Sequence, residues 1–203
     1  MACATRSVLL SLNKRRTETN MATSRKDASK AGKLFASPFR HSAGFGRRIE
    51  YWIIGRMLKE GLDVYVPLVD DFGIDAVVRR PSGEFVECQI KARSNDVVFG
   101  DAGLFAAISH DPRSSYFFIF YSERMDTIWI MSSEEFIEHS VLNRTGRNAG
   151  KRSVWFNGRG KHPVSGERIE YVKPQWERFV ARDFSRISAP ASVLSPGPGG
   201  LAV

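Results

Sequence analysis

Apolar residues recur along the chain with two different periods, which predict both helices and strands. In 44–60 they recur at helical spacing, so the sequence predicts an amphipathic helix that ends at Gly61. Alternating apolar and polar positions predict three short strands, at 64–68, 72–78 and 86–92. The first half of the domain is therefore one helix followed by strands.

The second half begins with a continuous apolar run, SSYFFIFY from Ser115 to Tyr121, which is typical of a strand buried on both faces. Residues 127–131 read as its hairpin partner. Ser132 and Glu135 have the spacing of a capping box, which opens a helix to about Ser140. A last helix is predicted from Pro174, with one apolar stripe formed by Trp176, Phe179, Val180, Phe184 and Ile187. The predicted class is α/β, a mixed central sheet flanked by helices.

The two ends of the chain differ in composition from this centre. Residues 1–40 are basic, rich in Ser and Thr and without a sustained apolar period, and we interpret them as a disordered extension. The segment also resembles an organelle transit peptide, but we favour a start at Met21, with the first twenty residues as a start-site artefact. Residues 188–203 form a Pro/Gly/Ser tail that we predict to be disordered. A single domain is expected over 41–187.

Charge is unevenly distributed around the formal total of +8. Residues 1–40 carry a net charge of +7, residues 41–140 carry −6 and residues 141–187 carry +7. An acidic centre between basic segments suits an enzyme that collects cations at its site and binds a polyanion at its edges, although a solvated surface with basic ends has the same charge pattern.

Several functional classes are disfavoured by composition and spacing. No apolar run reaches the length of a membrane-spanning helix, and the two cysteines, Cys3 and Cys88, suggest neither a disulfide framework nor a zinc site. The four histidines lack metal-ligand spacing, and no glycine-rich phosphate loop follows a strand. We therefore expect a cytoplasmic protein without a membrane association.

The stretch from Asp70 to Arg93 contains the informative turn, Arg80-Pro81-Ser82-Gly83-Glu84. Proline fixes φ and glycine takes a left-handed conformation, so the turn predicts a three-residue hairpin loop with Arg80 paired to Glu84. Counting along the ladder then places Val77 opposite Glu87, Asp75 opposite Gln89, and Gly73 opposite Lys91.

Directly opposed residues share one face of a sheet. The predicted register gathers Asp75, Glu87, Gln89 and Lys91 on one face, whereas the apolar neighbours Ile74, Ala76, Cys88 and Ile90 fill the other. Asp75 would give a hard oxygen ligand to Mg²⁺ (or Mn²⁺), joined by the Gln89 amide oxygen and the Glu87 carboxylate. Lys91 would orient a water or stabilise charge on a phosphate. The alternative without a functional site is a polar, solvent-facing strand with an ordinary Glu87–Lys91 ion pair.

Asp75 followed by Gln89-Ile90-Lys91 resembles the D…(D/E/Q)xK signature of the PD-(D/E)XK phosphodiesterase superfamily, which includes restriction enzymes, Holliday-junction resolvases and some intron-encoded endonucleases. The family order of a helix, strands carrying the signature, a second helix and a further strand is similar to residues 44–131. The resemblance implies a restriction-endonuclease-like fold, Mg²⁺-dependent hydrolysis of DNA and 5′-phosphate products. Because many members of the superfamily cut DNA as dimers, the resemblance also implies a homodimer.

The resemblance also implies a role for Glu50, because many resolvase-like members complete the metal site with a glutamate on the first helix. An ordinary flank position beside Arg47 or Arg48 is the alternative for this residue. Gln89 departs from the more common acid and would hold a divalent ion less tightly. The expected metal ligands are Glu50, Asp75 and Gln89, with the Glu87 carboxylate as a further ligand.

Residues 143–161 mix Arg, Lys, Gly and Asn with the pair Trp155-Phe156. Cations release counterions from a nucleic acid and glycine permits close backbone approach, so we interpret the segment as a DNA-contacting loop or hairpin. The pair Trp155-Phe156 is expected to return to the core. The residues expected to contact phosphate are Arg144, Arg147, Lys151 and Arg152.

Two functions follow from the sequence. The first is a metal-dependent endonuclease acting on DNA. The second is a nucleic-acid-binding module with the same fold and little or no turnover. Gln89, in the position where the family more often has an acid, favours this alternative.

Overall fold

The computed structural model describes residues 42–69 and 72–189. The chain divides into two compact units, Met1–Gly44 and Phe45–Val203, and every described strand belongs to the second unit. The predicted extension 1–40 and nearly all of the predicted tail 188–203 lie outside the described residues.

The helices are α1 (Ser42–Lys59), α2 (Ser133–His139) and α3 (Ser185–Ser188), with 3-10 helices at Gly146–Asn148 and Pro174–Phe179. The strands are β1 (Asp63–Tyr65), β2 (Ala76–Arg79), β3 (Phe85–Arg93), β4 (Leu104–Ile108), β5 (Tyr116–Ser122), β6 (Thr127–Ser132), β7 (Val141–Leu142), β8 (Arg152–Trp155), β9 (Asn157–Lys161) and β10 (Arg168–Val172).

The central sheet has five strands in the order β1-β2-β3-β5-β6. β3 and β5 run parallel, and every other neighbouring pair in this sheet is antiparallel. The predicted mixed α/β fold, a central mixed sheet with helices against it, is therefore confirmed. Two smaller sheets, β4-β8-β7 and β10-β9, complete the described fold.

Every residue of β5 is buried, as the continuous apolar run predicts, because β5 separates two apolar cores. Phe117, Ile119 and Tyr121 face the core that α1 and α3 cover, together with Ala76, Val78, Cys88 and Ile90. Tyr116, Phe118 and Phe120 face the second core, which contains residues of β4, β8, α2 and the Pro174–Phe179 helix. The alternation of side chains along one strand thus assigns each layer its side of the sheet.

The capping box is confirmed: Ser132 accepts a hydrogen bond from the Glu135 N–H, and the Glu135 carboxylate accepts one from the Ser132 N–H. The resulting helix, α2, ends close to the predicted residue. Its buried Phe136 packs against the ring of Phe118, with ring centroids 4.3 Å apart.

Three element predictions are wrong. The strand expected at 64–68 is only Asp63–Tyr65, with Leu68 fully exposed beyond it. The strand expected from residue 72 starts at Ala76, so Phe72 is exposed and Ile74 packs against the second core instead of the first. Residues 66–68 and 72–74 keep the alternation of a strand, but none of the described strands pairs with them.

The helix predicted from Pro174 breaks at Val180, which forms an isolated bridge to Trp129. Its apolar stripe is consequently divided between the two cores: Trp176 and Phe179 enter the second, and Phe184 and Ile187 enter the first. The helix is interrupted by a tertiary contact, because the chain passes the edge strand β6 at this residue.

The connection between the parallel strands β3 and β5 also departs from the family order. A helix is expected there, yet the fully described residues 94–115 contain the strand β4, which pairs with β8. Among the described residues, no helix is both long and apolar enough to cross a membrane.

His110 gives the fold a pH dependence. Its Nε2 lies 2.7 Å from the Ser133 hydroxyl, and burial, followed by the charge of Arg113, lowers its pKa to about 4. In the unfolded chain the pKa returns to about 6.5, so the unfolded state takes up a proton first. The stabilisation is complete above about pH 6.5 and is lost as the pH falls through about 4.

We therefore expect the free energy of unfolding of the wild type, relative to a His110→Gln variant, to fall between about pH 7 and pH 4. Urea denaturation at several pH values measures the difference, with the exposed His162→Gln as the control. A wild-type advantage that stays constant over this range would contradict the assignment.

Candidate metal and phosphate site

The β2–β3 hairpin has the predicted turn and register. The Arg80 N–H donates to the Glu84 carbonyl over 2.8 Å, and Gly83 has φ +88°. Val77 lies opposite Glu87, as counted from the turn. Hydrogen bonds from the Ser115 hydroxyl and then the Arg80 guanidinium lower the pKa of Glu84, which keeps this carboxylate ionised at the turn.

Asp75 lies just beyond the end of this ladder. Its N–H donates to the Cys88 carbonyl over 2.9 Å, and its side chain, only 8% exposed, accepts the Ile90 N–H at Oδ2 over 2.7 Å. The prediction that Asp75 is a strand residue directly opposite Gln89 is therefore wrong. Its carboxylate instead binds the backbone of the residue between Gln89 and Lys91, where a strand acceptor would otherwise lie.

Gly73 approaches Gln89, not Lys91 as predicted. It has φ +71°, and a Cβ added there would lie 2.3 Å from the Gln89 Nε2. The Gly73 carbonyl accepts the Tyr116 hydroxyl over 2.8 Å, and burial raises the pKa of Tyr116, which keeps the phenol protonated as a donor. A bend free of a side chain thus packs against the buried Gln89 amide.

Gln89 and Lys91 share a face of the sheet because they are two residues apart on β3. Their parallel partners on β5 are Phe118 and Phe120, which belong to the second core. Gln89 is 9% exposed, whereas Lys91 is half-buried. The ammonium group therefore lies nearer to solvent than the amide.

The two glutamates of the predicted site are each paired with an arginine. Glu87 lies 3.5 Å from the Arg113 guanidinium, and Glu50 lies 2.7 Å from that of Arg47. Glu50 is the main cause that raises the pKa of Arg47, and the Asp75 carboxylate contributes at longer range.

Among the described residues, no group of three or more His, Cys, Asp or Glu side chains could enclose a metal ion. The donors at this place are one carboxylate, from Asp75, and one amide, from Gln89. By the chemistry of their donor atoms they would suit a magnesium ion that keeps several waters and takes further ligands from a substrate phosphate, a common arrangement for Mg²⁺. They do not fit a closed, all-protein calcium or zinc site.

The basic segment 143–161, predicted to be a loop or a hairpin, contains the strands β8 and β9. Arg144 and Arg147 are exposed and Lys151 is half-buried. The Arg152 guanidinium instead donates to the Ile137 carbonyl over 2.9 Å, at the end of α2. Phe156 is fully buried, as expected.

Three residues beside the site, Gly73, Tyr116 and Arg113, were not among the site residues predicted from the sequence. Tyr116 is hidden inside an apolar run, and Arg113 stands in a loop, where its cation lies 5.0 Å from the Tyr116 ring centre. The only available signal was Gly73, because a glycine in an alternating strand pattern often marks a close approach.

Gly73→Ala should destabilise the protein more than Gly83→Ala. Both glycines have positive φ, but a Cβ meets Gln89 at position 73 and nothing within 4 Å at position 83. We expect a loss of about 1 kcal/mol for Gly83→Ala and about 1–3 kcal/mol more for Gly73→Ala, measured by urea denaturation. Equal losses would show that Gly73 does not pack against the amide.

Tyr116→Phe should lower the free energy of unfolding by about 1 kcal/mol, because it removes the donor to the Gly73 carbonyl. Tyr65→Phe is the matched control, since its exposed hydroxyl makes a longer bond of 3.3 Å to Asp63. A change at Tyr116 no larger than that at Tyr65, in the same denaturation experiment, would count against this hydrogen bond.

No protein-family model and no curated protein matches the chain. Solved structures similar to it include a bacterial homing endonuclease, I-Ssp6803I, with a TM-score of 0.38 and 22% identity over 55% of this chain and 89% of that chain. So low a TM-score decides nothing about activity, which depends on the residues of the site.

Proposed function

We propose that this protein is a metal-dependent endonuclease of the PD-(D/E)XK type that hydrolyses phosphodiester bonds in DNA. One observation supports this function above all: the Asp75 carboxylate binds the N–H of Ile90, the residue between Gln89 and Lys91. This contact joins the aspartate to the QxK segment, although the two are distant in sequence.

Asp75 and Gln89 would hold the metal in this proposal. A bound Mg²⁺ (or Mn²⁺) would supply Lewis-acid stabilisation of the phosphate and a more acidic water. Lys91 would orient the attacking water or donate a hydrogen bond to a phosphate oxygen, from its position on the same strand face as Gln89. Burial of Asp75 and Gln89 would strengthen both interactions by excluding bulk water.

Glu50 and Glu87 remain further metal ligands in the proposal, and each would first have to leave its arginine. An incoming phosphate gives Arg47 and Arg113 an alternative anion to bind. Substrate binding would therefore free the two carboxylates when they are needed. The metal site would be completed by the substrate, in keeping with its small set of protein donors.

The second candidate is a nucleic-acid-binding module with the same fold and little or no turnover. It is favoured by Gln89 in place of an acid and by the pairing of Glu50 and Glu87 with arginines. In that case the same cations would bind phosphate, but the metal would bind too weakly for hydrolysis.

Incubation with linear, branched and single-stranded DNA plus Mg²⁺ or Mn²⁺ tests the first candidate. We expect cleavage that EDTA abolishes and that Asp75→Asn and Lys91→Ala each reduce by about 100-fold or more. Asp75→Asn keeps an acceptor for the Ile90 N–H, so the fold is retained while the charge is removed. Lys59→Ala, at the exposed end of α1, is the control and should cleave at the wild-type rate.

Cleavage that persists in both site variants would place the activity elsewhere. DNA binding without cleavage on every substrate would favour the binding module. Sedimentation of the protein with and without DNA would test the predicted homodimer.

A further inference from the structure

The β9–β10 hairpin carries an unusual arrangement of charge. Lys161 and Arg168 are directly opposed across the two strands, and both are exposed. Like charges in directly opposed positions destabilise a strand pair. Arg159, two residues before Lys161, lies on the same face, so three cations (Arg159, Lys161 and Arg168, the hairpin cations) share one surface.

The acidic residues of the hairpin do not neutralise this surface. Glu170 lies directly opposite Arg159, but its side chain is only 7% exposed, and its carboxylate accepts the Gly100 N–H over 2.5 Å and lies 3.6 Å from Arg124. Glu167 is exposed beside the turn, where it bonds to Ser165. The three hairpin cations therefore outnumber the single exposed carboxylate of the hairpin.

The hairpin is firmly attached to the connection that leaves β3. Gly100, with φ +94°, lies against the Arg159 side chain, and its carbonyl accepts the Asn157 Nδ2–H over 3.3 Å. On the back of the hairpin, Gly158 leaves room for the Tyr171 ring. The surface is thus held by specific contacts and is not a flexible basic loop.

The hairpin lies on the same side of the central sheet as the candidate site. It follows β8 through Phe156, whose ring packs 5.2 Å from that of Phe120, the β5 partner of Lys91. Gly100, which the hairpin contacts, lies in the connection that follows Arg93, the last residue of β3. A polyanion bound to Lys91 could therefore continue toward the hairpin cations.

Cations also cover the aromatic rings beneath this surface. Arg168 lies 5.8 Å from the Phe99 ring centre, and Arg159 and Lys173 lie 5.8 and 4.7 Å from that of Trp155. Rings covered in this way offer no platform for stacking unpaired bases. The surface is suited to phosphates and not to bases, which favours a duplex over a single strand.

We infer that the hairpin cations bind the sugar-phosphate backbone of duplex DNA beside the site, an inference that rests on the proposed function for its substrate. The main phosphate contacts then lie on β9 and β10, whereas the sequence assigned them to Arg144, Arg147, Lys151 and Arg152. A bound phosphate would also relieve the repulsion between the opposed residues Lys161 and Arg168.

Binding of a short duplex, measured by fluorescence anisotropy in EDTA over a range of salt concentrations, tests this inference without cleavage. The test variant is Lys161→Glu/Arg168→Glu, which leaves Arg159 on Gly100. We expect Kd to rise at least about 10-fold at about 0.1 M salt, and the slope of log K against log salt to fall by about 2, as for two lost phosphate contacts.

Two control variants make the same change in net charge. Lys59→Glu/Arg182→Glu alters exposed residues away from the hairpin, and Arg144→Glu/Arg147→Glu alters the surface expected from sequence. Both should weaken binding less than the hairpin variant. Circular dichroism of each variant checks the fold, and Lys161→Gln/Arg168→Gln, which adds no repulsion, should show the same slope change.

Equal weakening by the hairpin and Lys59/Arg182 variants would overturn the inference, as would greater weakening by the Arg144/Arg147 variant. Tighter wild-type binding to single strands than to duplexes would overturn the choice of duplex DNA. Hairpin-dependent duplex binding without cleavage in Mg²⁺ would support the inference while the proposed nuclease activity fails, so the two failures are distinguishable.

Discussion

The end of the β2–β3 ladder is the constraint on which the candidate site depends. On the N-terminal side of Ala76 the chain leaves the sheet. The part of β3 that follows Cys88 then has no β2 residue beside it, and the Ile90 N–H would lack a backbone acceptor. The Asp75 carboxylate accepts that hydrogen bond, so one side chain both closes the ladder and places a negative charge beside the QxK segment. In the proposed function, a structural and a chemical role would therefore coincide at a single buried acid, a costly group to bury without partners.

The fully buried strand β5 lies between the two layers that pack on the central sheet. Its two faces supply two cores, one covered by α1 and α3 and the other by a second layer that includes β4, β8 and α2. Gln89 and Lys91 point to the second side, where Tyr116 also holds the Gly73 bend. The same layer continues into the β9–β10 hairpin, which links the site to a cationic surface through packing and not through sequence proximity.

Charge in this protein is arranged by pairing. Glu50, Glu84 and Glu87 each lie beside an arginine, whereas Lys161 and Arg168 lie opposite one another. Paired acids would become available to a cation only when an anion occupies their arginines, and opposed cations gain from an anion directly. In the proposed function, both arrangements would favour a phosphate-containing ligand, which would complete a metal site that has few protein donors.

The sequence by itself determined the turn at Pro81–Gly83, the hairpin register, the buried strand β5 and the capping box of α2, because each depends on local backbone preferences or on side-chain alternation. Tertiary structure decided where β2 begins, how the Pro174 stripe divides between two cores, and that Gly73 meets Gln89. It also decided that Arg152 binds the end of α2 while the hairpin cations stay exposed. These outcomes depend on which strands are available as neighbours and on contacts between residues far apart in the chain, and no local period contains that information.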